Sequence, residues 1–168
     1  MHIELKNLKI SEFASEETRC FQATVYLDGR RCMTVSNDGH GGCNYYQPLT
    51  ASQAMRDLRD YAYQRICKHV RSLPDIECEG GSYKPSIDSV IDEVMYRTDA
   101  LKRMRRALKA RVHIYRGPEE IYSFKAKPTP ENIAAIRTKN PDDIVLNGLD
   151  ETMALGLWVQ QTYETGRL

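Results

Sequence analysis

Two alternating runs of residues that meet at Asp28-Gly29 constrain the fold of this chain more than any other feature. In residues 21–27 apolar side chains alternate with more polar ones, which is the period of a strand with one buried face. Residues 32–35 form a second apolar run after the turn. Asp-Gly favours a two-residue type I′ turn, because both central residues take a positive φ. The sequence therefore predicts an antiparallel hairpin whose apolar face needs a cover.

Two long helices are predicted downstream, and they can supply this cover. Thr50 or Ser52 caps the first helix, which extends to about Leu73. Its apolar residues recur at helical spacing. They are Met55, Leu58, Ala62, Ile66, Val70 and Leu73. The second helix is predicted from about Ser86 to Lys109, with acidic residues early and basic residues late, an order that suits the helix dipole.

Shorter elements are predicted before, between and after the two long helices. Residues 3–10 form a first extended run, and residues 75–85 form a connection. Around Gly117-Pro118 the alternation predicts a second hairpin. Thr129 caps a short helix to about residue 138, and Asp150 caps a last helix to about residue 163.

These elements predict an α+β fold in which an N-terminal antiparallel sheet packs against two long helices, followed by a hairpin and two shorter helices. We expect a single domain over residues 1–168. Within it, a β-rich hairpin region (1–48) precedes a helical region (50–110) and a region of hairpin plus helices (111–168).

Charge is distributed unevenly along the chain. With 24 Lys and Arg against 23 Asp and Glu, the net charge of +1 excludes a uniformly basic histone-like protein and a uniformly acidic nucleic-acid mimic. Residues 95–127 nevertheless carry 10 basic and 3 acidic side chains, a net of +7. We call residues 97–127 the basic segment. It is the strongest physical feature of the sequence.

The basic segment predicts a binding surface, with a solvated helix face as the plain alternative. Arginine forks suit carboxylates and phosphates. Aromatic residues interleave at Tyr115, Tyr122 and Phe124, as in nucleic-acid sites, but the same footprint fits an acidic protein. The candidate binding residues are Lys102, Arg103, Arg105, Arg106, Lys109, Arg111, Arg116, Lys125 and Lys127.

A glycine-rich loop over residues 37–44 is the second candidate site. Its amides could face an anion, and the spacing of His40 and Cys43 suits a metal or thiolate pair. The plain alternative is a wide hairpin loop that needs glycine for its backbone angles. The candidate residues are Gly39, His40, Gly41, Gly42, Cys43, Tyr45 and Tyr46.

The sequence lacks the patterns that mark several classes of functional site. No Gly-Lys-Ser/Thr follows the loop, so it is not a P-loop. No second close Cys or His pair is present for structural zinc, and no catalytic constellation is recognisable. We therefore expect no metal, no cofactor and no catalytic residues.

The expected compartment is the cytosol. No apolar run reaches the ~20 residues that cross a bilayer, and the first residues do not resemble a signal peptide. Five irregularly spaced cysteines favour reduced thiols. We expect no membrane association.

About the first 48 residues resemble the opening of small uncharacterised proteins encoded by bacteriophages, plasmids and other mobile elements. The matching elements are Phe13-Ala14-Ser15-Glu16-Glu17-Thr18, Cys20-Phe21, Ala23-Thr24, Asp28-Gly29 and Ser36-Asn37-Asp38-Gly39-x-Gly41-Gly42-Cys43-Asn44. The resemblance implies a bacterial or phage cytosol. It brings no established activity.

The leading functional hypothesis is a non-enzymatic phage or mobile-element accessory protein that acts by protein–protein binding. Its expected partner has an acidic surface and belongs to a host defence system, such as a CRISPR effector or a restriction enzyme. One alternative is a nucleic-acid-binding accessory protein that uses the basic segment. A second is a small enzyme or nucleotide-binding protein that uses the loop at 37–44.

Overall fold

The fold is α+β, as the sequence predicts. A computed structural model describes residues 1–78, 80–117 and 120–164. The strands are β1 (Ile3–Ile10), β2 (Phe21–Leu27), β3 (Arg30–Asn37), β4 (Tyr45–Pro48), β5 (Ile76–Cys78), β6 (Gly81–Tyr83), β7 (Val112–Gly117), β8 (Glu120–Phe124) and β9 (Ile144–Val145). The helices are α1 (Gln53–Val70), α2 (Ile87–Ala110), α3 (Pro130–Lys139) and α4 (Glu151–Glu164).

The chain divides into two compact units, residues 1–98 and 99–168. We call them unit 1 and unit 2. Each has a hydrophobic core of its own. The expectation of a single domain stays a prediction. None of the described helices is long and apolar enough to cross a membrane.

Unit 1 is built on a four-stranded antiparallel sheet in the order β1-β2-β3-β4. The predicted turn between β2 and β3 is confirmed, since Asp28 and Gly29 have φ of 50° and 80°. The predicted apolar face is buried in the core with residues of α1 and with Ile91 and Met95 of α2. The sheet residues of this core are Leu5, Leu8, Phe21, Ala23, Val25, Leu27, Cys32, Met33 and Val35.

The apolar stripe of α1 faces the core as predicted. Ala62, Ile66 and Val70 are buried, whereas Met55 and Leu58 are half-buried. Ser52 is the N-cap, although its side chain makes no capping hydrogen bond. The helix ends at Val70, so Leu73 lies beyond it.

Two short elements of unit 1 differ from the sequence-based prediction. In the region predicted as a connection, residues 76–78 and 81–83 pair as the β5–β6 hairpin, and residues 45–48 form an edge strand after the glycine-rich loop. Strands of three or four residues are too short to show a periodic pattern. In addition, every described residue of β5 and β6 is exposed, so no burial pattern marks them.

Unit 2 contains a three-stranded antiparallel sheet in the order β8-β7-β9. Its core comprises Val112, Ile114, Ile136 and Val145. Both predicted caps are confirmed: the Asn132 amide donates to Thr129 Oγ1 at 3.3 Å, and the Thr152 amide donates to Asp150 Oδ1 at 2.9 Å. Gly117 ends β7, while Pro118 of the predicted turn lies outside the described residues.

Candidate functional site

The basic segment presents its cations to solvent. All nine predicted binding residues are exposed. On α2 they lie off the side that carries the buried Met104. Exposure alone does not make a site, because many surface cations are paired with carboxylates of their own chain. The pairing of each cation therefore decides what it can offer to a partner.

Arg105 is engaged by Glu151, the first residue of α4. Its Nε and Nη2 donate to the two carboxylate oxygens at 2.6 and 2.7 Å, a bidentate fork. This hydrogen bonding lowers the pKa of Glu151 and raises the pKa of Arg105. Both side chains are about half exposed, at 58% and 51%. A partner must compete with Glu151 for this guanidinium.

Two further arginines of the segment have carboxylate partners. Arg103 Nε lies 2.6 Å from Asp99 Oδ2, one helical turn away. Arg116 Nε lies 2.9 Å from Asp143 Oδ2, and its guanidinium carbon stands 4.4 Å from the centroid of the Tyr122 ring. These pairs reduce the charge that Arg103 and Arg116 can offer to a ligand.

Three other cations gather where α2 meets the β7–β8 hairpin. The Val112 amide donates to the carbonyl of Ala126 at 3.1 Å. Arg111 precedes Val112, and Lys125 and Lys127 flank Ala126, so the three cations surround one backbone hydrogen bond. We call Arg111, Lys125 and Lys127 the basic cluster. None of them has a carboxylate partner within the part of the chain that the structure describes.

A groove of about 390 Å³ adjoins the basic cluster in unit 2. Its apolar lining consists of Met104, Leu108, Pro128, Leu146, Leu149 and Ala154. Its polar lining consists of Arg105, Lys109, Asn147 and Glu151. Pro128 follows Lys127 directly, so the groove lies next to the basic cluster along the chain. The groove combines apolar surface with positive charge.

Asn147 fixes the end of α2 at this groove. Its Nδ2 donates to the carbonyls of Leu108 and Arg111 at 2.8 and 2.9 Å. Its Oδ1 accepts a hydrogen bond from the His113 amide at 2.7 Å. The last carbonyls of a helix have no partner within the helix. Asn147 therefore supplies donors that the helix lacks, and it couples α2 to β7.

The aromatic residues of the basic segment are engaged within unit 2. Tyr115 Oη donates to Gln160 Oε1 at 3.2 Å, and Tyr122 faces Arg116. Phe124 packs against the core of unit 2. Single-stranded nucleic acids need free ring faces for base stacking. Of these rings, Tyr122 already has one face against the Arg116 guanidinium.

The glycine-rich loop uses its amides internally. Three of them donate to side-chain oxygens of the same unit. They are Gly39 to Asn37 at 2.9 Å, His40 to Asp38 at 3.2 Å and Gly41 to Thr18 at 3.3 Å. These donors are not available for a bound anion. The geometry favours the plain alternative, a loop that needs glycine for its conformation.

Gly39 holds the segment before β2 onto the loop. Its carbonyl accepts hydrogen bonds from the amides of Glu16, Glu17 and Thr18 at 3.0, 2.9 and 3.2 Å. Its φ is +91°, and a Cβ added to it would lie 1.9 Å from the Ala14 carbonyl oxygen. Only glycine fits this position without a shift of the backbone.

His40 and Cys43 are the two side chains of this loop whose spacing predicted a metal or thiolate pair. Both are exposed, and His40 Nδ1 lies 3.2 Å from Glu16 Oε2. Among the described residues, no group of three potential ligands is placed to hold a metal ion. Tyr45 is 56% exposed.

Sequence reasoning missed a polar network behind the loop. Asn37 Nδ2 donates to Asn44 Oδ1 at 3.0 Å, and Asn44 Nδ2 donates to Asp92 Oδ1 at 2.9 Å. Tyr46 Oη donates to Asp88 Oδ1 at 2.6 Å. Burial raises the pKa of Asp92. A signal for this network was present in the sequence, because Asp88 and Asp92 lie one turn apart on a helix that also carries core residues.

Comparisons with family models, curated proteins and solved structures give no match to this chain. A functional hypothesis therefore depends on the chemistry of the described surfaces. The basic cluster and its groove combine exposed charge with an apolar floor. The loop network, in contrast, satisfies its polar groups within unit 1.

Proposed function

We propose that this protein is a non-catalytic binding protein whose basic cluster engages a protein partner with an acidic surface. One observation carries the proposal: Arg111, Lys125 and Lys127 are exposed together and lack carboxylate partners within the described residues. Neighbouring like charges repel one another, and an acidic partner would relieve that repulsion.

The proposed partner is a component of a bacterial host defence system, such as a CRISPR effector or a restriction enzyme. The resemblance of the first 48 residues to proteins of phages, plasmids and other mobile elements supports this choice. An inhibitor of this kind works by occupying a protein surface, so it needs no catalytic group. The cytosol of a bacterial host is the proposed location.

A nucleic acid is the second candidate for the same cations. Exposed arginine and lysine side chains neutralise phosphates as readily as carboxylates. Against this candidate stand the contact of the Tyr122 ring with Arg116 and the apolar groove beside the basic cluster. We therefore prefer a protein partner.

Two variants of equal net charge test the proposal. The cluster variant is Arg111→Gln, Lys125→Gln and Lys127→Gln. The dispersed variant neutralises three exposed cations elsewhere, Lys9→Gln, Lys68→Gln and Lys139→Gln. Arg105 is not used, because its replacement would also release Glu151.

The measurement is capture of partners from a bacterial lysate with and without nuclease treatment, with the bound proteins identified by mass spectrometry. We expect the wild type and the dispersed variant to retain the same protein, and the cluster variant to lose it. Equal capture by both variants would show that the basic cluster is a solvated face and not a binding surface. Capture that disappears with nuclease would favour the nucleic-acid candidate.

A further inference from the structure

We infer that the groove binds an acidic segment of the partner that also carries a large apolar side chain. This inference rests on the proposed function and specifies what the partner presents. The floor of the groove is apolar and closely packed, since Met104, Leu146 and Ala154 are each only 1% exposed. Half-buried Leu108 and Leu149 complete the lining. A leucine or phenylalanine side chain fits a groove of about 390 Å³.

Charge complementarity determines the rest of the occupant. Lys109 lines the groove, and Lys127 of the basic cluster precedes the lining residue Pro128 directly in the chain. Lys109, like the cluster residues, has no carboxylate partner among the residues that the structure describes. Carboxylates on either side of the apolar side chain would lie against these cations. A neutral or basic segment would leave them unpaired as the rim loses water.

Glu151 gives this site an internal competitor. Its carboxylate occupies the Arg105 guanidinium at the edge of the groove, at 2.6 and 2.7 Å. A carboxylate of the partner therefore meets an arginine that is already paired. Removing the charge of Glu151 would free Arg105 for the partner. The cap of α4 is provided by Asp150, so Glu151→Gln leaves it in place.

Three fluorescently labelled peptides of equal length test the composition of the occupant. The first alternates Glu with Leu, the second replaces each Leu by Ser, and the third replaces each Glu by Lys. Binding is measured by fluorescence anisotropy. We expect the Glu/Leu peptide to bind at least about tenfold more tightly than the Glu/Ser peptide, because burying one leucine side chain corresponds to about that factor. We also expect it to bind more tightly than the Lys/Leu peptide, because the ammonium groups of that peptide would meet cations of the same sign.

Two single substitutions test the site itself. Glu151→Gln is expected to tighten binding of the Glu/Leu peptide about two- to fivefold, the range of an exposed ion pair. Lys109→Gln is expected to weaken it by a similar factor. Lys139→Gln, an exposed cation of the same unit, serves as the control and should change nothing. A folding defect would weaken binding, so it cannot imitate the effect of Glu151→Gln.

Other results would overturn the inference. Equal binding of the Glu/Ser peptide would show that the groove is not used. Weaker or unchanged binding of the Glu/Leu peptide by the Glu151→Gln variant would show that Glu151 does not compete with the peptide for Arg105. Displacement of the Glu/Leu peptide by a single-stranded oligonucleotide would assign the surface to nucleic acid. If no peptide binds but capture from lysate still requires the basic cluster, this inference fails while the proposed function stands.

Discussion

Gly39 is the residue on which the glycine-rich loop depends most. Its carbonyl receives three backbone amides from the segment before β2, and its Cα lies too close to Ala14 for a side chain. Gly42, three residues on, has a similar φ of +89°, but nothing lies within 4 Å of an added Cβ. A comparison of substitutions at these two glycines therefore separates the cost of backbone strain from the cost of a steric clash.

We expect Gly39→Ala to destabilise the protein more than Gly42→Ala. The matched control costs about 1–2 kcal/mol, because alanine disfavours the left-handed region. Gly39→Ala adds a steric clash that forces backbone shifts and costs a further ~1–3 kcal/mol. Urea denaturation of both variants gives the two free energies of unfolding. Equal losses would mean that Gly39 is needed only for its φ.

At the residue scale, the sequence predicted the cations of the candidate site but not their pairing. Their exposure follows from the cost of burying a charge, so all nine predicted residues lie at the surface. Arg105 and Glu151 are 46 residues apart, however, and no local pattern links them. The lining of the groove likewise comes from α2, α4 and the segments between β8 and α4.

At the element scale, long periodic segments were predicted well. The hairpin at Asp28-Gly29 and helices α1 and α2 repeat their apolar residues often enough to reveal which face is buried. The β5–β6 hairpin and strand β4 were missed, because each strand has only three or four residues. Their formation depends on pairing with a neighbour rather than on burial of an alternating face.

The buried face of α1 supports a prediction about stability. Ile66 is 0% exposed in the core of unit 1, whereas Leu58 only packs against its edge. Ile66→Ala should lower the free energy of unfolding by about 2–5 kcal/mol, and Leu58→Ala by less. Gln64→Ala, on the exposed face, should stay within ~0.5 kcal/mol. Thermal or chemical denaturation would contradict the assigned face if Gln64→Ala cost as much as Ile66→Ala.

At the scale of the whole molecule, the near-neutral charge conceals a difference between the units. Unit 1 carries 12 basic and 14 acidic side chains, a net of −2, whereas unit 2 carries 12 basic and 9 acidic, a net of +3. Within unit 2, the basic cluster concentrates charge that no described carboxylate compensates. A charged partner therefore responds to the local field of the basic cluster more than to the net charge of the protein.

Cation-exchange chromatography measures this concentration directly. From a net charge of +1, the cluster variant and the dispersed variant both fall to −2. We expect the cluster variant to elute at a lower salt concentration than the dispersed variant, because a sulfonate surface attracts the cations that stand together. Elution of both variants at the same salt concentration would show that the three cations act independently.

The sequential order of the N-terminal sheet has a consequence for how this protein is made. Each strand from β1 to β4 pairs with the strand that precedes it in the chain. Such neighbour-to-neighbour pairing keeps the loops that must close short, which favours fast folding. All residues of the unit 1 core have been translated once residue 95 has left the ribosome. Since domains fold as units during synthesis, unit 1 can acquire its structure before unit 2 has left the ribosome.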